Sequence, residues 1–381
     1  MPKKIFLIAC EPSGDLHGAY LVSELKKLQP SFEFLGLGGS KMKAAGVTLL
    51  EDMTTLSALG LGDVIRQYFR YRRIFYAALK KLADWRPHAL IVIDSPAFNL
   101  RFVKKVRKFN GSLPIFYYIS PQIWAWGGRR IHTIKKTISK MLCILPFEIS
   151  LYQKAGIPCE FVGHPLLDLV KPSASRDELR RKSEITPGQK AIGLLPGSRS
   201  SEVRRILPVM LETASYLHEE MPQAIFFLAE SPNVGKTTYD EILNRAKVGI
   251  RRFENDFYDR LSAMDFALVA SGTATLETAL VGTPFFLLYK TGWSTYFLGK
   301  RLIRVPFLGI VNLLAGEKIV PEFIQEGCHP LTIAHEAKIL LENRDFYDEM
   351  KREFLAVREK LGAEGASTRA AKAVVESLQK S

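Results

Sequence analysis

The strongest chemical signal lies in residues 195–203, LPGSRSSEV. They follow an apolar run and precede a helical pattern. Gly197 lets a backbone approach a ligand closely, and Ser198 can donate a hydrogen bond. Arg199 offers a planar fork of donors suited to a diphosphate. The competing reading is a surface turn with a solvated arginine. A second signal is residues 270–277, ASGTATLE. Free amides at a helix start, together with the helix dipole, make an anion site. Ser271, Gly272 and Thr273 would cradle phosphate oxygens. Glu277, about one turn in, could accept from both hydroxyls of a ribose. Local capping by Thr273 is the alternative.

Asp94 stands just after the apolar run 89–93, where a carboxylate is a candidate general base. A capping role in the turn at Ser95 and Pro96 competes with it. The segment Glu11, Pro12, Ser13, Gly14, Asp15 reads as a loop that opens a helix and meets a phosphate or polar acceptor group. It is not GxGxxG, which counts against a dinucleotide cofactor. His164 reads more naturally as a structural histidine than as a catalytic one. No His, Cys or carboxylate cluster has metal-ligand spacing, and no DxD pair follows a predicted strand. A diphosphate must then be neutralised by Arg199 and helix amides.

These residues need strand ends to present them. Short apolar runs bounded by Gly, Pro and Asp recur at 4–10, 32–37, 89–93, 114–119 and 141–145. They suit parallel strands covered on both faces. A polar stretch at 168–190 reads as a linker. The alternation then restarts at 191–195, 224–229, 266–270 and 284–289. The tail from about residue 331 is charged and helical. The fold class is therefore α/β, with two successive doubly wound, Rossmann-like halves. Ligands of such sheets bind at the carboxyl ends of the strands, where the candidate residues fall.

Residues 64–81 form a basic, aromatic helix. At about 100° per residue, Val64, Ile65, Tyr68, Phe69, Tyr71, Phe75, Tyr76 and Leu79 share one arc. Arg66, Arg70 and Arg73 lie opposite, and Arg72 sits within the arc, where snorkelling tolerates it. An interfacial membrane helix has this pattern, as does an ordinary core-facing helix. Residues 294–307 add a second basic-aromatic stretch. The formal charge of +14 fits nucleic acid, an anionic membrane or phosphorylated substrates. Zinc-finger spacing and RNA-recognition aromatics are absent, so nucleic acid is not expected. The four scattered cysteines suit free thiols in a reducing cytosol. The apolar run after Met1 is too short for a signal peptide, and no run reaches the ~18 residues of a membrane span.

In this order the motifs resemble the lipid A disaccharide synthase family (glycosyltransferase family 19). The match covers EPSGD at 11–15, IDSPAFN at 93–99 and YISPQIWAW at 118–126. It continues through LPFE at 145–148, VGHP at 162–165, LPGSR at 195–199, SGTATLE at 271–277 and NLLAG at 312–316. Ala97 departs from the second aspartate often found there, which leaves Asp94 as the essential carboxylate. The resemblance implies a GT-B fold, two Rossmann-like domains facing a central cleft. Residues 1–167 would bind the acceptor and membrane, completed by residues 355–381 crossing back. Residues 168–354 would bind the UDP-sugar. The implied reaction is inverting transfer of 2,3-diacylglucosamine from UDP onto 2,3-diacylglucosamine 1-phosphate, giving a β-1,6-linked disaccharide 1-phosphate and UDP. The resemblance further implies a cytoplasmic enzyme, peripheral on the anionic inner-membrane surface, needing no metal or cofactor. It assigns the base to Asp94 and the donor site to Arg199, with Asn312 nearby. A C-terminal segment that swaps between subunits would give a homodimer. Another GT-B transferase or an epimerase acting on a UDP-sugar is the alternative.

Overall fold

The computed structural model describes residues 2–54, 64–293, 296, 297, 301 and 305–379, with residues 64–68 as backbone. The chain forms two compact units, residues 1–165 with 361–381, and residues 166–360. The return to the first unit thus begins at Leu361, and the Arg344–Lys360 helix belongs to the second.

The first unit is built on a seven-stranded parallel sheet. Its strands are β1 (Lys4–Ala9), β2 (Glu33–Gly38), β3 (Thr48–Asp52), β4 (Ala89–Ile93), β5 (Ile115–Tyr118), β6 (Lys140–Cys143) and β7 (Cys159–Phe161). Their order is β3-β2-β1-β4-β5-β6-β7. The apolar runs form strands because both faces are covered. Phe6, Ile8, Leu90, Val92 and Tyr117 enter one core with the Val64–Trp85 and Pro96–Phe109 helices. Ile5, Leu7, Ile91, Ile93 and Tyr118 enter the other, under the Pro12–Leu28 and Ala366–Gln379 helices. This alternation is the period of two that a strand imposes.

The second unit repeats the plan with β8 (Lys190–Leu195), β9 (Ala224–Ala229), β10 (Ile250–Phe253), β11 (Phe266–Ala270), β12 (Phe285–Tyr289) and β13 (Glu322–Ile324). Their order is β10-β9-β8-β11-β12-β13. Both sheets therefore reverse direction of winding at an inner pair, β1/β4 in the first and β8/β11 in the second. Such switch points are where ligands bind.

Two expectations need correction. Residues 11–15 are not a loop: the helix starts at Pro12, with Glu11 as the residue before it. Proline at the first helical position presets φ and loses no needed N–H. The polar stretch 168–190 is not a free linker either. It contains the Arg176–Lys182 helix, whose cap Ser175 accepts from the Glu178 amide. Arg176 and Arg180 reach Asp265 at 2.7 and 2.9 Å, which anchors the segment on the second unit.

Candidate functional site

In the first unit, Ala9 of β1 and Ile93 of β4 are register partners. Glu11 and Asp94 follow these two neighbouring ends, and the charge of Glu11 is felt by Asp94. Gly14 lies against the strand ends: a Cβ there would stand 3.4 Å from Ala9 and 3.8 Å from Ile93. Glu11 and Ser13 are exposed. Asp15 is buried and fully engaged, accepting from the amides of Gly39, Lys41 and Met42 at 2.7–3.0 Å. It clamps the glycine-rich turn, where a Cβ on Gly39 would lie 2.7 Å from its carboxylate. Its role here is to hold that turn against the Pro12–Leu28 helix.

Asp94 and Ser95 both have positive φ, +45° and +44°, and Ile119 after β5 has +62°. Side chains disfavour this region, most of all a β-branched one. Ser95 also precedes Pro96, which restricts it further. Strain held at adjacent strand ends marks a site that the surroundings enforce. Asn99, fully buried, donates to the carbonyls of Ile93 and Asp94 at 3.0 and 2.6 Å. The Tyr117 hydroxyl donates to the Asp94 carbonyl at 2.6 Å. These bonds replace the ladder partners that the turn gives up, and they fix the carboxylate's backbone. Burial, then the charge of Glu11, pushes the Asp94 carboxyl up to about 6, against a hydrogen bond from the Ser95 amide. An ionised form with that affinity for a proton is suited to general-base work near neutral pH.

The next loop is also stapled. Glu148, buried, accepts from the Ser120 hydroxyl, from the Trp124 indole at 3.2 Å and from the Leu145 amide at 3.2 Å. Burial pushes its carboxyl up to about 7, and these donors oppose that. Trp126 stays partly exposed and lies 4.3 Å beneath the Arg130 guanidinium. His164 is buried and pushed down to about 3 by burial and by His17, so it is neutral. That suits its structural reading.

A cavity of about 840 Å³ opens here within the first unit. Cys10, Glu11 and Ser95 form its end beside β1 and β4. Tyr71, Phe75, Tyr76 and Phe98 line it with aromatic rings, and basic side chains of the Pro96–Phe109 helix, which also carries Phe98, line it too. Its size is that of small-molecule pockets. The Ser95 hydroxyl is buried without a hydrogen-bond partner among the described residues.

The Val64–Trp85 helix divides the arc expected of it. Ile74, Ala78, Leu79 and Leu82 enter the core, while Tyr71 and Phe75 pack on its edge. Phe69 and Tyr76 remain 60% and 49% exposed. The side chains of Val64, Ile65 and Tyr68 lie outside the described residues, as do Lys300 and Arg304 of the second stretch. There, Trp293 and Phe297 are exposed, and the rings of Trp293, Tyr296 and Phe297 contact one another at 6.0–6.2 Å.

In the second unit, Leu195 of β8 and Val269 of β11 are register partners. The loops that follow, with Gly197–Arg199 and Ser271–Thr273, therefore stand side by side. Gly197 has φ +108°, and a Cβ there would meet the Glu202 carboxylate at 2.6 Å. Glu202 accepts from the Ser198 amide at 3.3 Å and holds Arg199 at 3.2 Å. Arg199 is still 77% exposed, so its fork can turn to an incoming anion. Thr273 begins the Thr273–Val281 helix and is exposed with Gly272, leaving first-turn amides open to a phosphate. Glu277 accepts from the Tyr258 hydroxyl at 2.8 Å, and burial raises its carboxyl above the usual range. Asn312 is buried. Its amide donates to the Val320 carbonyl and to Glu322, and its oxygen accepts from the Val320 amide. It ties the Ile310–Ala315 helix to β13 and spends both amide hydrogens doing so. Among the described residues no His, Cys, Asp and Glu group could hold a metal. The four cysteines are free.

The family model for lipid-A-disaccharide synthetase matches residues 5–376. The chain belongs to the lipid-A-disaccharide synthetase family. It is 40% identical over 380 residues to the lipid-A-disaccharide synthase of Syntrophus aciditrophicus, covering 100% of this chain and 99% of that one. It is 38% identical over 377 residues to that of Geobacter sulfurreducens, covering 99% and 98%. As a member of the family it is a glycosyltransferase of lipid A disaccharide synthesis. Among solved structures it resembles the S. aureus MnaA–UDP co-structure, with TM-score 0.66, 12% identity and coverage of 100% and 97%. It also resembles the Neisseria meningitidis UDP-GlcNAc 2-epimerase bound to UDP-GlcNAc, with TM-score 0.63, 14% identity and full coverage of both chains. At that identity the likeness gives the fold, GT-B.

Sequence reasoning missed Asn99, Tyr117, Tyr258 and Glu148 as supports of the site. Asn99 and Glu148 close motifs already read as units, but their partners are visible only in three dimensions.

Proposed function

We propose that the chain transfers 2,3-diacylglucosamine from UDP to the 6-hydroxyl of 2,3-diacylglucosamine 1-phosphate with inversion. The observation that carries this reading is Asp94: a strained, clamped carboxylate with raised pKa, at the sheet's switch point and beside an amphipathic cavity. Asp94 takes the proton of the acceptor hydroxyl as its oxygen attacks the anomeric carbon. The bond from that carbon to the diphosphate breaks on the opposite face, and UDP leaves. Arg199 and the amides of Gly272 and Thr273 take up the charge that develops on the diphosphate, a preorganised electrostatic role, while the Ser271 amide is held by the Leu288 carbonyl at 2.9 Å. Glu277, oriented by Tyr258, accepts from the ribose hydroxyls. Two fold neighbours, one in complex with UDP and one with UDP-GlcNAc, support a uridine donor. Asp15 and Asn312 act as supports rather than contacts.

The enzyme works peripherally on the cytoplasmic face of the inner membrane, and exposed Phe69 and Tyr76 on a basic helix support that placement. No described helix is long and apolar enough to cross a membrane. A homodimer by exchange would use the Ala366–Gln379 helix, which here packs on its own chain.

The test separates the two halves of the chemistry. Asp94→Asn should cut turnover by about 10³-fold or more while UDP affinity stays unchanged. Arg199→Ala should weaken UDP binding at least about tenfold. Wild-type turnover in the first variant, or wild-type UDP affinity in the second, removes that residue from its role.

A further inference from the structure

We propose that the cavity of the first unit holds the acceptor through its phosphate, and that Arg101, Lys104, Lys105 and Lys108 form the phosphate site. This rests on the reading of the chain as a transferase to an acylated, phosphorylated sugar. The four cations sit on the exposed side of the Pro96–Phe109 helix and line the cavity. At about 100° per residue they fall within an arc of about 100°. Like charges three and four residues apart repel on a helix. Among the described residues none of the four has an ion-pair partner. Arg107 on the same helix shows the contrast, donating to the carbonyls of Thr137, Gly111 and Leu113 at 2.6–2.8 Å. Arg72 and Arg130 add charge at the cavity, and among the described residues Glu11 is its single acidic lining residue. So dense a set of unmatched cations asks for an anion.

The rest of the lining decides what kind of anion. Tyr71, Phe75 and Tyr76 of the Val64–Trp85 helix and Phe98 of the Pro96–Phe109 helix are aromatic, with Phe75 packed edge-on against Phe98 at 5.3 Å. Inorganic phosphate alone has no use for these aromatic side chains. An amphiphile with an anionic head and acyl chains uses both sides. The register along the helix fits as well. Arg101 is five residues beyond Pro96, about 7–8 Å of helix rise. The phosphate on one end of a sugar ring would meet Arg101 while the hydroxyl at the other end faces Asp94 and Ser95.

The experiment uses the full chain in neutral detergent micelles, free of anionic lipid. Equilibrium binding of diacylglucosamine 1-phosphate is compared with that of phosphate-free diacylglucosamine, for the wild type and for the variant Arg101→Gln, Lys104→Gln, Lys105→Gln, Lys108→Gln. All four side chains are exposed, and an unchanged melting temperature checks folding. The wild type should prefer the phosphorylated ligand by about 30-fold or more. The variant should lose that preference and bind both ligands like the phosphate-free one, with UDP affinity unchanged. In turnover the acceptor KM should rise by the same factor and the donor KM should not. A variant that keeps the wild-type preference overturns the proposal. So does a variant that keeps its acceptor affinity in micelles but loses flotation on phosphatidylglycerol vesicles, because the cations would then serve bilayer headgroups. If the wild type binds the phosphorylated ligand selectively yet forms no disaccharide, the transferase reading fails and the phosphate site stands.

Discussion

Asp94 shows how a residue's role depends on what surrounds it. Its carboxyl ordinarily loses a proton near 3.8 and here does so at about 6. A base acts in its ionised form, so kcat/KM should fall on an acid limb near pH 6. Burial is the larger cause of this rise, but Glu11→Gln removes the charge that adds to it, so the limb should move part of the way to lower pH; a pH–rate profile of both proteins checks this. The stability sign follows from the same shift. The folded state binds the proton more tightly than the unfolded chain, so this group favours folding below about pH 4. It loses that advantage as pH rises to about 6. Asp94→Asn should therefore be more stable than wild type at pH 8, by at most roughly 3 kcal/mol. The residue scale is also where the sequence was least readable. Asp15 looked like a ligand contact, yet three backbone amides occupy it. Asn312 looked like a donor-site residue and spends both amide hydrogens on the Val320 carbonyl and the Glu322 carboxylate. A carboxylate or amide has the same letter in a motif whether it faces a ligand or a buried amide.

At the scale of elements the sequence was far more legible. Every strand that fills the middle of a sheet was visible as a continuous apolar run, because both of its faces are covered. Those missed were β3, β7, β10 and β13, the outermost strands of the two sheets. They are short and partly exposed, and β10 reads Ile-Arg-Arg-Phe, so no apolar run announces them. The switch points followed from strand order once the inner strands were placed. The Val64–Trp85 helix was legible as amphipathic but not in its division of labour. Part of its aromatic arc builds the cavity, and Phe69 points away from the core. Phe69→Glu should leave the melting temperature within about 1 °C, since it removes little packing. It should reduce flotation on phosphatidylglycerol vesicles severalfold. Undiminished flotation would assign membrane contact to another surface.

At the scale of the whole chain, the C-terminal helix is the decisive element of the first unit. Val374, Val375 and Leu378 are buried beneath the sheet, each worth roughly 1.5–3 kcal/mol. Thr368 donates to Glu24 at 2.8 Å and Arg369 to the Val162 carbonyl at 2.8 Å, fixing the helix to both ends of the unit's sequence. Val374→Asp would bury an unpaired charge at a fully enclosed position. It should unfold the first unit at lower temperature and abolish turnover, while UDP still protects the second unit in a thermal-shift assay. Loss of UDP binding in that variant would mean that the two units do not fold separately. The donor loops and Asp94 divide between these units, so the account makes one reaction depend on both. Mass spectrometry of the products from UDP-2,3-diacylglucosamine and 2,3-diacylglucosamine 1-phosphate tests this most directly. One disaccharide 1-phosphate should form per UDP released, about 10³-fold more slowly or worse with Asp94→Asn, and UDP-N-acetylglucosamine alone should give no epimer. Free diacylglucosamine in place of the disaccharide, or epimerisation without acceptor, would contradict it.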